Sequence, residues 1–263
     1  MSTKSTAARK PAPAKVAQSR LTLAEAMAAL EAAGSEQTRR TYARHGVTQP
    51  MFGVSFATLK TLLKKIKVDH ELALALWQTN NFDARNLAVK VVDPQRMSEA
   101  ELDAWALDPC ARMCSGYVAQ VAAEGPHAQG CVQRWLGATP DSLRCVGWTL
   151  VGALAMADES IAETWFAERL QEIESRIHDV PNGQREVMNQ TVIAIGCRSA
   201  ALRAAATAAA QRIGKVKIDH FDTACKTPDA AIAIEKAWGH SQSKGFESPA
   251  AQERGRESLR TRC

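Results

Sequence analysis

The chain has 263 residues, of which 46% are apolar and only 5% are aromatic. Apolar content of this size supports a sizeable buried core, whereas the lack of alternating β-branched runs argues against β and α/β folds. No run of eighteen apolar residues is present to span a membrane, and the N-terminus has no apolar core of a secretory signal. The composition therefore predicts a helical protein without membrane association.

The net charge of +5 is unevenly distributed. Residues 1–20 contain five cations and no acid, and we expect them to form a disordered basic tail. Residues 239–263 carry a net charge of +2, and we expect a disordered charged tail there. The remaining residues, 21–238, are predicted to form one helical repeat domain and carry −2. DNA binding by this domain therefore requires that its cations gather on one face.

The seven cysteines are odd in number, and no two of them have CxxC spacing. This pattern is typical of reduced thiols in the cytosol, so we predict a cytoplasmic protein. Cys110 and Cys114 lie one helical turn apart, but no histidine or second cysteine pair accompanies them at ligand spacing. We therefore expect neither a metal site nor another cofactor.

Apolar residues at three-to-four spacing predict helices along most of the chain. In chain order, the predicted helical segments are 21–33, 35–45, 55–67, 69–79, 82–92, 98–107, 107–121, 128–137, 139–155, 162–178, 180–196, 200–213 and 229–238. Asp, Asn or Ser residues precede several of them and are expected to cap the first turn. We expect the helices to form pairs, and the tryptophans in the second helix of a pair to pack against the adjacent repeat.

Four of these segments share an internal pattern, in which an Asp or Asn at a turn is followed shortly by an arginine and an apolar run. The arginines are Arg85, Arg112, Arg144 and Arg185. Their spacings of 27, 32 and 41 residues lie in and just below the range of paired-helix solenoid repeats. The sequence therefore predicts an all-α stack of antiparallel helix pairs, wound as a right-handed superhelical solenoid.

Residues 53–94, GVSFATLKTLLKKIKVDHELALALWQTNNFDARNLAVKVVDP, resemble the opening module of the DNA alkylation repair family, the AlkD-like alkylpurine DNA glycosylases. The likeness continues more weakly, through the repeat pattern, to Gly214. It implies a C-shaped solenoid of HEAT-like repeats whose inner helices line a groove for duplex DNA. It also implies excision of N3- and N7-methylpurines by hydrolysis of the N-glycosidic bond, with a carboxylate stabilising the positive charge on the sugar.

The family carries this chemistry on a Trp-Asp-x-x-Asp step in the third repeat, which here reads Leu107-Asp108-Pro109-Cys110-Ala111. In this register Leu107 replaces the tryptophan and Ala111 replaces the catalytic aspartate. A second groove tryptophan of the family falls on Ala194, whereas the inner-face arginine is kept as Arg144. Asp108 is the remaining candidate for a catalytic acid, and the alternative is that Asp108 caps a helix end before Pro109.

Two alternatives are open for the cations. In the first, the repeated arginines form a ladder of ion pairs between neighbouring repeats, and we favour this for Arg85 and Arg185. In the second, the arginines face the groove and bind phosphates. The resemblance to a DNA-binding family makes five residues candidates for contact with DNA: Lys64, Lys65, Arg112, Arg144 and Arg185.

Two polar stretches resemble the signature of a subgroup of the family, of the form IHxxPNxxRxxMN and GKVxxDHxxTxCKTPxA. The candidate polar site comprises His178, Asn182, Asn189, Asp219, His220, Asp222, Cys225 and Lys226. His220 between Asp219 and Asp222 has the surroundings of an oriented acid or base, and Cys225 next to Lys226 those of a reactive thiol. The alternative is a polar connector that caps helix ends and closes the solenoid.

The function predicted from the resemblance is binding of duplex DNA in a concave helical groove, with excision of alkylated purines in doubt because the catalytic carboxylate is replaced. The competing hypothesis is a non-enzymatic helical-repeat scaffold that binds a protein partner. A cationic concave face favours DNA, whereas an acidic or apolar face favours a protein.

Overall fold

The computed structural model describes residues 21–108, 112–221 and 223–262, apart from the side chains of residues 112 and 113. In this part the chain forms helices throughout, with one 3-10 turn at Pro94–Arg96 and no strand beyond an isolated bridge between Gly34 and Val54. The α-helices are α1 (Leu23–Ala32), α2 (Glu36–Arg44), α3 (Phe56–Ile66), α4 (His70–Gln78), α5 (Phe82–Val91), α6 (Glu99–Leu107), α7 (Arg112–Glu124), α8 (Ala128–Leu136), α9 (Asp141–Ala157), α10 (Glu163–Arg176), α11 (Asn182–Gly196), α12 (Ala200–Ile213), α13 (Ala230–Gln242) and α14 (Pro249–Arg254). The prediction of an all-α fold is confirmed.

Helix starts follow local sequence signals. Thr22 and Ser98 each form a capping box with a glutamate three residues later, at the starts of α1 and α6. The side chain of Asn81 accepts hydrogen bonds from two backbone N–H groups in the first turn of α5. Asp229 caps α13 in the same way, at the position that the sequence predicts. Local capping therefore decides where these helices begin.

Helices α5, α7, α9, α11 and α13 pack side by side in chain order and form an inner row. Gln184 at the start of α11 donates to Asp141 at the start of α9, over 3.0 Å. At the far end, Arg198 just after α11 donates to the carbonyl oxygen of Ala155 near the end of α9, over 3.1 Å. These contacts show that α9 and α11 run parallel, as expected when each is separated from the next by one returning helix.

Helices α4, α6, α8, α10 and α12 are the returning helices, and tryptophans help to join them. The rings of Trp77 and Trp105 stack with centroids 4.2 Å apart. Trp135 is fully buried and donates from Nε1 to Asp103. Gly196 allows close packing between α11 and α13, because a Cβ there would lie 2.5 Å from Cδ1 of Ile234. The core thus runs continuously between the two rows.

The prediction of a disordered tail at 239–263 is wrong for the described residues up to 262. Helix α13 extends to Gln242, and α14 packs on α9. The amide of Ala250 donates to the carbonyl oxygen of Cys197, and Arg260 is 5% exposed. Composition suggested disorder because the segment is rich in charge, but two of its cations, Arg254 and Arg260, pair with Glu159 and Glu124 from distant parts of the chain. The other predicted tail, 1–20, lies outside the described residues.

None of the described helices has the length and hydropathy needed to cross a bilayer.

Candidate nucleic-acid interface

The inner faces of α7, α9 and α11 line a cavity of about 1050 Å³. Many of the side chains that line it are small, which leaves space above the helices: Gly116, Ala123, Gly152, Ala153, Gly183 and Ala194. The opposite wall is formed by the C-terminal part of the same chain. We call residues 249–262 the C-terminal strap. The strap therefore lies across the inner faces of these helices and forms one wall of the cavity.

Arg260 anchors the strap at the end of α5. Its Nε donates to Glu124 over 2.6 Å, and its Nη1 donates to the carbonyl oxygens of Val89 and Lys90 over 3.0 and 2.8 Å. In return, the buried Lys90 ammonium donates to the carbonyl oxygen of Arg260 over 2.6 Å. The same ammonium lies 4.2 Å from the ring centroid of Tyr117. This reciprocal pairing satisfies two cations that would be unstable if buried alone.

The other arginines of the strap are also paired. Arg254 contacts Glu159 over 2.7 Å, and Arg262 forms an ion pair with Glu253. Only Arg256 has a loose and exposed contact, at 3.6 Å from Glu253. The strap therefore closes over the groove as a network of arginine–carboxylate pairs.

The charge of the groove is not that of a DNA-binding surface. Among the described residues that line the cavity, those before the strap include the acids Asp108 and Glu124 and neither lysine nor arginine. All of its cations come from the strap, which also contributes Glu253 and Glu257. The side chain of Arg112 is outside the description. The cationic concave face that would favour duplex DNA in this groove is therefore not formed by the described residues.

Asp108, the candidate catalytic acid, ends α6 and lies at the edge of the groove. Both of its oxygens accept hydrogen bonds from Arg85, over 2.8 and 2.6 Å. The Arg85 side chain is 6% exposed and lies over the ring of Trp77. This bidentate pair joins consecutive repeats, as the ladder interpretation of Arg85 expects. The carboxylate of Asp108 thus neutralises a buried guanidinium, and Ala111 lies outside the described residues.

The candidate phosphate ligands differ in their surroundings. Arg144 donates to the carbonyl oxygens of Ala138 and Thr139 over 2.5 and 2.9 Å and pairs with Asp141, so its charge serves the start of α9. Lys64 and Lys65 lie exposed in the last turn of α3 and form no ion pair within the described chain. Of these three cations, the two lysines are available to phosphates.

The second polar stretch forms an irregular connector, residues 214–229, between α12 and α13. Both polar atoms of the Asn182 side-chain amide bind the backbone of Asp219. Its Nδ2 donates to the carbonyl oxygen over 2.9 Å, and its Oδ1 accepts from the backbone N–H over 2.8 Å. Asn189 donates to the carbonyl oxygen of Pro228 over 3.0 Å. The two asparagines of the first stretch therefore hold the second stretch in place.

His178 and Arg185 also contact backbone carbonyl oxygens at the end of α12 and in the connector. The Nε2 atom of His178 lies 2.9 Å from the carbonyl oxygen of Ile213, where α12 ends. The guanidinium of Arg185 donates to the carbonyl oxygens of Lys217, His178 and Val180. Arg185 is thus occupied by backbone carbonyls. The connector alternative accounts for the contacts of these side chains.

The remaining members of the polar site lie within the connector. The ring of His220 lies 3.0 Å from the hydroxyl of Thr227, while the carboxylate of Asp219 accepts from the amide of Phe221. No hydrogen bond joins His220 to Asp219 in the described chain, and Asp222 is outside it. Cys225 and Lys226 are exposed. The described residues contain no group of three or more His, Cys, Asp or Glu side chains placed to hold a metal ion.

Some residues at the strap and the connector that make notable contacts, or are unusually exposed, were not predicted from the sequence. Lys90, Glu124 and Arg260 meet under the strap, although 136 residues separate Glu124 from Arg260. Phe221 is the most exposed large apolar side chain of the described chain, at 79%. Aromatic residues near lysines in the sequence are a weak signal for nucleic-acid contact, and the connector, with Phe221 between Lys217 and Lys226, contains that signal.

Comparison with known proteins places these features in context. A protein-family model described as DNA alkylation repair enzyme matches residues 26–212. An uncharacterized protein of Listeria monocytogenes is 26% identical over 216 residues, which cover 79% of this chain and 93% of the relative. An uncharacterized protein of Listeria innocua shows the same identity and coverage.

A solved structure matches with a TM-score of 0.76 and 27% identity, covering 86% of this chain and 96% of that chain. It is described as representing a new family of proteins related to the HEAT-like repeat DNA glycosylases with affinity for branched DNA structures. The match confirms the prediction of a HEAT-like helical fold.

Proposed function

The chain belongs to the DNA alkylation repair family, and on this basis we propose that it binds DNA, prefers branched DNA to linear duplex, and does not excise bases. The observation that carries the proposal is the strap over the groove. The cavity left beneath it, about 1050 Å³, has the size of a small-molecule pocket and not of a duplex. DNA is therefore expected to contact cations outside the covered groove.

Two clusters of exposed lysines support contact with phosphates. One lies at the end of α3, with Lys64 and Lys65, and the other lies in the connector, with Lys215, Lys217 and Lys226. None of the five forms an ion pair within the described chain. Helix α3 packs against α5 near one end of the inner row, and the connector leads into α13 at the other end. Separate clusters suit a DNA whose arms leave in different directions, and the solved relative is described as having affinity for such structures.

The arrangement of acids supports binding without excision. Glycosidic cleavage needs a carboxylate placed at the developing sugar cation. Asp108 and Glu124, the two acids that the inner and returning helices bring to the cavity, are each paired with an arginine, Arg85 and Arg260. Leu107 stands where the family has a tryptophan and is 49% exposed. Neither carboxylate is free to stabilise charge on a substrate.

The binding proposal is tested by fluorescence anisotropy with a three-way junction and a linear duplex of equal length. We expect the junction to bind about tenfold more tightly, which corresponds to 1.4 kcal/mol. A full-length variant with the five N-terminal cations, Lys4, Arg9, Lys10, Lys15 and Arg20, replaced by glutamine is the control for nonspecific attraction. It should keep the preference for the junction. Loss of all binding in this variant at low salt would show that those cations alone attract DNA.

The excision proposal is tested by incubating the protein with DNA that contains 7-methylguanine and measuring free base. We expect no release above the protein-free control, because loss of one preorganised charge-stabilising group typically lowers the rate by about a hundred- to a thousandfold. Release that disappears on replacement of Asp108 by asparagine would identify Asp108 as the catalytic acid and overturn this part of the proposal.

One observation favours the second candidate, a scaffold for a protein partner. The strap is itself a peptide segment bound in the concave face, so the groove has the shape and charge to hold a basic peptide. If no DNA binds at low ionic strength, this alternative replaces the DNA proposal. A synthetic peptide of residues 249–262 that displaces the strap from the intact chain would support it.

A further inference from the structure

The connector presents a strained aromatic residue to solvent. Phe221 has φ of +50°, a conformation that bulky residues rarely adopt, and its side chain is 79% exposed. Its amide donates to the carboxylate of Asp219, and the hydroxyl of Thr223 donates to the carbonyl oxygen of His220. These bonds hold the turn in place. Strain that the surroundings maintain is typical of functional segments.

Side chains of α11 hold the backbone of the connector at three points. Its sixteen residues contain no helix or strand in the described part, a length at which loops without secondary structure are uncommon and often functional. Asn182, Arg185 and Asn189 of α11 nevertheless fix it at Asp219, Lys217 and Pro228. Phe221 therefore lies between anchored parts of the connector, which limits the entropy lost when it binds a partner.

Lysines line a cavity that reaches His220, the residue before this aromatic side chain. Lys215, Lys217 and Lys226 line one open cavity of about 970 Å³ together with His220. The same cavity is lined by Arg185 and by two acids, Asp219 and Asp229, whose carboxylates accept backbone amides and keep their charge. The three exposed lysines, which have no ion pair in the described chain, together with Arg185 outnumber these acids, so the described lining residues carry a surplus of positive charge.

We propose that the connector binds unpaired nucleotides of DNA, with Phe221 stacking on an exposed base and Lys215, Lys217 and Lys226 binding the neighbouring phosphates. An aromatic ring on a cationic surface is the usual arrangement for single-stranded nucleic acid. The interior of a linear duplex offers no free base face, whereas a gap or a branch point does. The inference rests on the proposed function and deepens it, because it identifies which feature of branched DNA is bound.

The experiment uses the full-length protein and three labelled DNAs: a linear duplex, the same duplex with a gap of a few nucleotides, and a three-way junction with unpaired bases at its centre. Replacement of Phe221 by alanine is expected to weaken binding to the gapped and branched DNAs by about five- to a hundredfold. The linear duplex should be affected much less. Phe221→Trp should restore the affinity, since tryptophan also stacks, whereas Phe221→Leu should not.

Two further variants make the test specific. Ile232→Ala removes another exposed apolar side chain, 68% exposed on the neighbouring helix α13, and should leave all three affinities unchanged. Replacement of the three lysines by glutamine should weaken binding to every DNA and lower the slope of log affinity against log salt by about 0.7 to 0.9 for each phosphate that is no longer bound. Far-ultraviolet circular dichroism and thermal unfolding check that each variant is folded.

The outcomes separate the inference from the proposed function. Junction binding that is unaffected by Phe221→Ala and by the lysine replacement overturns the inference while the proposed function stands. Absence of binding by the unaltered protein to all three DNAs overturns the proposed function itself. A fluorescent base analogue in the gap gives a direct readout, because stacking on Phe221 should quench its emission and Phe221→Ala should abolish the quenching.

Discussion

The C-terminal strap and the connector are both rich in cations, but the cations of the strap are paired with acids and those of the connector are exposed. In the strap, Arg254, Arg260 and Arg262 are each paired with a glutamate, and Arg260 is almost fully buried. In the connector, the lysines are exposed and unpaired within the described chain, while polar side chains of α11 hold its backbone.

The difference follows from the chemistry of the two cations. The planar guanidinium is weakly hydrated and donates several hydrogen bonds at once, so it suits a buried position between carboxylates and carbonyls. The ammonium of lysine is compact and strongly hydrated, so it stays in solvent unless a partner such as a phosphate replaces its water. The positive charge of a side chain therefore does not by itself show that the side chain is available to DNA, because availability depends on the groups that surround it.

The largest expected effect tests the strap. Arg260→Ala leaves Glu124 without its partner and removes the donors to the end of α5, so we expect the free energy of unfolding to fall by about 3 kcal/mol. Chemical denaturation followed by circular dichroism measures this change. Arg256→Ala is the matched control in the same segment, because its contact is long and exposed, and it should cost less than about 0.5 kcal/mol. Equal effects of the two substitutions would show that the strap is not anchored at Arg260.

A smaller effect is expected at the edge of the groove. Asp108→Asn removes the charge that neutralises the buried Arg85, and we expect a loss of about 2 kcal/mol in the free energy of unfolding. Glu71→Gln breaks an exposed pair with Arg96 and serves as the control, with a change below about 0.5 kcal/mol. If Asp108→Asn left stability unchanged, the structural role of this carboxylate would be wrong, and its availability for chemistry would have to be reconsidered.

The smallest expected effect is a difference in alkylation rate between buried and exposed cysteine thiols. Burial raises the pKa of Cys131 and Cys197 to about 11 from an ordinary value of 9.0. Both thiols should stay protonated below that pH and resist alkylation at pH 8, whereas the exposed Cys225 should react before either of them. Because the folded state retains these protons longer than the unfolded state, they also make stability fall as the pH rises from about 9 to 11.

Cys145 adds a sensor for the strap, since it lines the cavity that the strap covers. We expect Arg260→Ala to raise the alkylation rate of Cys145 and to leave that of Cys225 unchanged, as measured by mass spectrometry of labelled peptides. An unchanged rate at Cys145 would indicate that the strap stays in the groove without its arginine anchor.

Much of the architecture is encoded locally. The three-to-four spacing of apolar residues predicts nearly every helix, and Ser, Thr, Asp and Asn residues mark the starts, as at Asn81 and Asp229. Asp108 itself ends α6 and its side chain accepts from Arg85, while the residues between it and Arg112, where the capping alternative places a helix start, lie outside the described chain. These signals act within one helical turn, so they can be read without knowing what packs where.

The strap and the availability of each cation depended on tertiary structure. Ion pairs such as Arg260 with Glu124 join residues 136 positions apart and leave no periodic trace in the sequence, so composition suggested a disordered tail where a packed segment exists. The exposure of Phe221 likewise depends on how α11 holds the connector. Whether a residue is helical depends mainly on its neighbours along the chain. Whether its charge is paired depends on groups that only folding brings within about 4 Å.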